Sequence, residues 1–175
     1  IICSLLFIIV FCWLYAIIAL LVRIKLGSPV LFTQYRPGLI DPKTGKERIF
    51  KMYKFRTMTD KKDAEGNLLP DEVRLTKFGA WLRSTSLDEL QEAFCILNGT
   101  MTLIGPRPQL VRDMVFMSEE QRMRHTAKPG LSGLAQVSGR NAISWDRKLQ
   151  YDLVYIEHVS FGSDLKILFK TVEKA

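Results

Sequence analysis

Two adjacent acidic residues, Asp88 and Glu89, stand in the stretch Arg83-Ser84-Thr85-Ser86-Leu87-Asp88-Glu89-Leu90. Ser86, three residues before Glu89, completes an S-x-x-E pattern that predicts a capping box at a helix N-terminus. Leu87, Leu90, Phe94 and Leu97 follow at one-face helical spacing. Both carboxylates are therefore expected in a first helical turn. There the macrodipole favours the ionised form, and unpaired backbone N–H groups can receive an anion such as phosphate. An ionised aspartate facing a phosphate is a competent nucleophile, because carboxylates form acyl-phosphate intermediates. First turns also collect Asp and Glu without any chemistry, so the pair alone leaves capping and catalysis both open.

Cations recur around this pair. Residues 49–58 read as a strand whose alternation puts Phe50, Met52, Lys54 and Arg56 on one face, two cations pointing the same way. Arg83 lies within reach of the Asp88 turn. Gly105-Pro106-Arg107-Pro108 stiffens the backbone on both sides of one guanidinium, which suits a bidentate phosphate contact and equally an ordinary proline turn. Gly139-Arg140-Asn141 again sets glycine beside a basic residue, without a Walker or dinucleotide fingerprint. His125 and His158 show no metal-ligand spacing and read as structural or surface residues.

The elements that must position these groups begin with an apolar run. No charged residue occurs from Ile1 to Val22, and then Arg23 and Lys25 arrive. Twenty-two helical residues reach about 33 Å, comparable with a bilayer's hydrocarbon core, so the run is expected to enter a membrane. It is too long, and lacks the preceding basic segment, for a secretory signal. Arg23 and Lys25 place the remainder on the cytoplasmic side. The chain does not start with Met, and further residues are expected before Ile1. Three cysteines form no disulfide framework. The net charge of +7 suits an anionic membrane surface and an anionic substrate, and no nucleic-acid motif accompanies it.

After this run, Val30 to Tyr35 reads as a short strand turned by Pro37-Gly38, and residues 41–46 as a solvated loop. Thr76 is expected to cap a short helix carrying Phe78, Trp81 and Leu82 and ending near Arg83, with Asn98-Gly99 closing the Asp88 helix. Residues 111–124 read as one surface helix, and residues 128–133 as a turn. Two closing helices start near Ser144 and Ser163. In the second, Leu165, Leu168, Phe169 and Val172 form an apolar stripe, expected to pack on the core rather than lie on a bilayer.

Taken together, the motifs resemble the bacterial sugar transferase family of monotopic phosphoglycosyl transferases. The resemblance is carried by Phe32-Thr33-Gln34 with Arg36-Pro37-Gly38, Tyr53-Lys54-Phe55-Arg56-Thr57-Met58, and Arg83 to Leu90. It continues through Gly105-Pro106-Arg107-Pro108, Pro129-Gly130-Leu131-Ser132-Gly133, Gln136-Val137, Gly139-Arg140-Asn141 and Tyr151-Asp152, and so covers essentially the whole chain. It implies an α/β (α+β-like) fold: one small catalytic domain, mostly helical with a short β-hairpin, over residues 27–175. A membrane-inserted helix over residues 1–26, re-entrant or spanning, precedes it. It also implies an enzyme of the bacterial inner membrane, its catalytic domain on the cytoplasmic face, that moves a sugar 1-phosphate from a UDP-sugar to polyprenol (undecaprenyl) phosphate. Asp88 aligns with the nucleophile that forms a phospho-aspartate and releases UMP. Glu89 aligns with its partner, both carboxylates serving Mg2+, while Lys54, Arg83, Arg107 and Arg140 align with substrate-holding positions. Trp13-Leu14 stand where family members commonly carry a Ser-Pro break, so no proline enforces a kink and a straight span is allowed.

Physical chemistry agrees with that assignment. A diphosphate approaching two carboxylates is repelled unless a hard cation and several Arg or Lys groups attend it. Carboxylate oxygens suit Mg2+ better than zinc. The rival readings are a membrane-anchored module that binds anionic lipid or nucleotide without catalysis, and an enzyme whose dyad only holds metal for a direct attack.

Overall fold

The computed structural model describes residues 1–139 and 142–173. In chain order, helices α1 (Ile2–Val10) and α2 (Cys12–Leu26) lead into strands β1 (Leu31–Ile40) and β2 (Glu47–Phe55), which pair as an antiparallel hairpin. Helices α3 (Asp71–Arg74) and α4 (Lys77–Ser84) precede a 3-10 turn over Leu87–Gln91 and helix α5 (Glu92–Leu97). Strand β3 (Thr102–Ile104) comes next, then a 3-10 turn (Val111–Phe116), α6 (Glu119–Arg122) and a third 3-10 turn (Met123–Thr126). Strand β4 (Gly130–Ser132), α7 (Leu134–Ser138), α8 (Trp145–Glu157) and α9 (Phe161–Glu173) complete the chain. The mixed, mostly helical architecture with a short hairpin is the one expected.

The chain forms two compact units. One comprises Ile2–Gln34 and Tyr53–Phe94; the other comprises Tyr35–Met52 and Cys95–Ala175, with Ile1. In the first, Tyr15, Ile18 and Val22 recur along one face of α2 and pack with Phe55 and Leu82, joined by Phe78, Leu87 and Leu90. The Tyr15 hydroxyl donates to the Leu90 carbonyl at 2.7 Å, tying α2 to the turn that carries the acidic pair. Thr76 caps α4 as expected, its Oγ1 accepting from the Gly79 N–H. Gly79 presses on the chain after β2 so closely that a Cβ there would lie 1.8 Å from the Thr57 carbonyl oxygen. In the second unit β3 pairs parallel with β4, Thr102 opposite Gly130 and Ile104 opposite Ser132. Ile104, Val137, Tyr155 and Ile167 form the core beside this pair.

Several local expectations are corrected. The apolar N-terminus is no straight rod: α1 and α2 are bent by 63° without a proline, and among the described residues no single helix is long and apolar enough to cross a membrane. Pro37-Gly38 does not turn the chain but runs buried within β1. A two-stranded sheet leaves each strand an unpaired edge, where the missing proline N–H loses nothing. Residues 128–133 hold β4, not only a turn. Residues 111–124 are not one surface helix, because Ser118 restarts the chain with a true capping box to Gln121. Arg124 and His125, in the turn after α6, are buried. In α9 the packed face is Asp164, Ile167 and Thr171: Asp164 accepts from the Tyr155 hydroxyl at 2.8 Å, and Thr171 meets Ser132 at 2.6 Å. The Leu165, Leu168, Phe169 and Val172 stripe therefore lies off the core, exposed from 40% to 71%.

Candidate active site

The acidic pair sits on the 3-10 turn Leu87–Gln91, ahead of the six-residue α5. The expected capping box is not formed. Ser86 adopts a left-handed backbone (φ 55°) with no capping hydrogen bond from its side chain. A non-glycine residue held there is strained, and such strain gathers where the surrounding fold over-determines a turn. Asp88 is buried at 8% exposure, so its environment departs from that of an exposed helix cap. Its carboxyl is pushed above the ordinary aspartate range by burial and then by the neighbouring Glu89 charge, while Lys54 and Arg83 pull it back down. The expectation of a readily ionised pair is thus reversed for Asp88, whose charge is sustained by Lys54, by a hydrogen bond from its own backbone and by Arg83.

Lys54, near the end of β2, donates from Nζ to Glu89 Oε1 at 2.6 Å. The same ammonium lies 3.1 Å from Oε1 of Glu92, whose side chain is 5% exposed. Arg83, in the last turn of α4, donates from Nε to Thr57 Oγ1 at 3.0 Å, which the tight Gly79–Thr57 approach makes possible. Arg56 does not share this cluster. It is buried, and its guanidinium reaches the Ser28 carbonyl (3.1 Å), the Leu26 carbonyl and Asp60 (2.6 Å), closing the C-terminal end of α2. The two strand cations expected to act together divide into one at the acidic pair and one structural residue.

Lys54, Arg83, Asp88 and Glu89 thus fall within one compact unit. Arg107 belongs to the other unit, exposed between buried Pro106 and Pro108. Arg140 lies outside the described residues. The Arg107 carbonyl accepts from Arg124 Nη2 at 2.6 Å. Arg124 also grips Asp152 Oδ2 through Nε (3.0 Å) and Nη2 (2.6 Å), both side chains 1% exposed. Glu47 holds Arg122 at 2.6 Å and His125 at 3.1 Å beside it. Sequence reasoning missed Glu92, Arg124 and the Tyr15 tether. Arg124 was hidden by the misread helix, whereas Asp152 stood in a quoted motif without a role.

Over residues 1–175, the whole chain, the sequence matches the family model described as bacterial sugar transferase. It is 53% identical over 153 residues to the sugar transferase EpsL of Bacillus subtilis, covering 87% of this chain and 73% of that protein. It is 38% identical over 168 residues to the UDP-glucose:undecaprenyl-phosphate glucose-1-phosphate transferase of Klebsiella pneumoniae, covering 90% of this chain but 35% of that protein. The undecaprenyl-phosphate galactose phosphotransferase of Salmonella typhimurium is 34% identical over 164 residues, with 84% of this chain and 33% of that protein covered. The chain therefore spans about a third of the length of these last two relatives. Motifs read residue by residue and the match along the full length agree: the chain belongs to the bacterial sugar transferase family.

Proposed function

We propose that this chain transfers a sugar 1-phosphate from a UDP-sugar to polyprenol phosphate through a covalent phospho-aspartate on Asp88. The observation that carries the reading is a buried Asp88 on a strained turn, its pKa raised by burial and Glu89 and drawn back by Lys54, its own backbone and Arg83. A module that only bound anions would gain nothing from two carboxylates among its cations. Names of the relatives from Klebsiella and Salmonella support the general reaction.

In the first half-reaction an Asp88 carboxylate oxygen attacks the sugar-bearing phosphorus. The bond from that phosphorus to the bridging oxygen breaks, and UMP leaves with the oxygen. In the second, an oxygen of polyprenol phosphate attacks the same phosphorus and the aspartyl–phosphorus bond breaks. Asp88 returns as carboxylate, which implies ping-pong kinetics. Arg83 stabilises the charge Asp88 needs for attack, and Lys54 orients Glu89. Arg107 and Arg140 are assigned to substrate on the family resemblance. Mg2+ would neutralise the diphosphate when bound at Asp88 and Glu89. Asp88 and Glu89 are adjacent on one turn and would each offer carboxylate oxygens, the hard donors that Mg2+ takes. Mg2+ typically takes one or two carboxylates and completes its shell with water and phosphate oxygens.

At the membrane, the bent α1–α2 pair is read as a re-entrant insertion, with Arg23 and Lys25 exposed at its cytoplasmic end. The exposed apolar stripe of α9 is itself of a kind that can lie on a bilayer surface. Incubating the full chain with UDP-sugars and Mg2+ tests the proposal: an enzyme liberates UMP, and a binding module does not. A panel of UDP-sugars in that assay identifies the sugar.

A further inference from the structure

Lys54 is one cation with two carboxylate partners, and only one of them is in the acidic pair. Its Nζ is 2.6 Å from Glu89 and 3.1 Å from Glu92, and the three side chains are 17%, 19% and 5% exposed. A charge held in so little water is costly to leave without a counter-ion. A divalent cation that engages Glu89 Oε1 competes with the ammonium for the oxygen Lys54 holds. If Glu89 were the sole anionic partner, opening that pair would strand Lys54. With Glu92 already in contact, the ammonium needs only a small shift to keep a counter-ion.

We propose that Glu92 is a positioning residue: it takes over the Lys54 ammonium when Glu89 turns to a divalent cation, so the exchange at Glu89 leaves no buried charge unpaired. This rests on the transferase reading for its purpose but not for its measurement. In this assignment Glu92 is given no direct contact with substrate or metal. It acts through Lys54, so its loss changes the cation requirement rather than the chemistry at saturation.

The test uses the full chain in detergent micelles with Mn2+ as the probe, bound Mn2+ being read by electron paramagnetic resonance. Glu92→Gln keeps the shape and removes the charge. Its Mn2+ half-saturation should rise about tenfold, while kcat at saturating metal stays within about twofold of wild type. In a Lys54→Gln background, where no ammonium needs a partner, the same substitution should raise half-saturation by no more than about twofold. Equal effects in both backgrounds would mean a general field and would overturn the hand-over, as would unchanged Mn2+ binding with only a lower Tm. Should Glu92→Gln fail to fold, Glu92→Asp keeps the charge but shortens the reach. Its half-saturation should rise about threefold, and an unchanged value overturns the proposal. The two readings fail separately. Wild-type protein that binds Mn2+ but yields no UMP defeats the transferase reading and leaves the Glu92 result standing, whereas wild-type protein that binds no Mn2+ defeats the hand-over itself.

Discussion

At the scale of single residues, the protonation of Asp88, the proposed nucleophile, sets the expected pH behaviour. Attack requires the Asp88 carboxylate, and burial with the Glu89 charge raises its pKa above the usual aspartate range. The rate of UMP release should therefore climb with pH through that raised pKa, later than for an ordinary exposed aspartate. Arg83 lowers the Asp88 pKa, so Arg83→Gln should move the acid limb to still higher pH, as a pH profile of kcat/KM would register. An acid limb that stayed put or fell would contradict the assignment. Of this site, the residue types are legible in the sequence: motif and spacing single out Asp88, Glu89, Lys54 and Arg83. Their environment is not. The S-x-x-E pattern at Ser86 pointed to a cap, but the left-handed backbone there removes Ser86 from capping geometry, and burial reverses the expected shift.

At the scale of elements, the site depends on close contacts that no periodicity reveals. Gly79 was read only as part of a helix, yet a Cβ there would collide with the Thr57 carbonyl, and Thr57 receives the Arg83 Nε–H. Gly79→Ala should cost at least about 2 kcal/mol of stability, seen in chemical unfolding, and should lower UMP release by disturbing Arg83. The S-x-x-Q pattern at Ser118 is by contrast legible in the sequence, and reading residues 111–124 as one helix passes over it. The sequence leaves the N-terminus re-entrant or spanning, because no proline stands at Trp13-Leu14 to enforce a kink; the helices part at Phe11 with no proline at all. If that bent pair re-enters the leaflet it came from, a tag placed before Ile1 should be labelled by an impermeant reagent from the same side as the catalytic residues. Labelling from the opposite side would establish a crossing.

For the whole molecule, stability should track a buried neutral histidine. Burial, followed by the Arg124 charge, holds His125 down at about 4 from an ordinary 6.5. The unfolded chain binds that proton more readily, so stability is fully present above pH 6.5 and drains away as pH falls toward 4. The loss should amount to about 2–3 kcal/mol in equilibrium unfolding, and His125→Gln should flatten the slope between those limits. Glu47, drawn down to about 2 chiefly by Arg122, adds a further loss in more acid solution. The fold class and the order of the principal elements could be read from motif and pattern. The partition into two units and the buried Arg124–Asp152 pair could not, since both depend on contacts between residues far apart in sequence. The most direct test of the account is to quench wild-type protein and Asp88→Asn after brief exposure to UDP-sugar and Mg2+, without acceptor lipid, and to measure intact and peptide mass. The account predicts a phosphosugar adduct on the peptide containing Asp88 in wild type and none in the variant, with turnover abolished. An active Asp88→Asn protein, or UMP release with no adduct at any quench time, would contradict it.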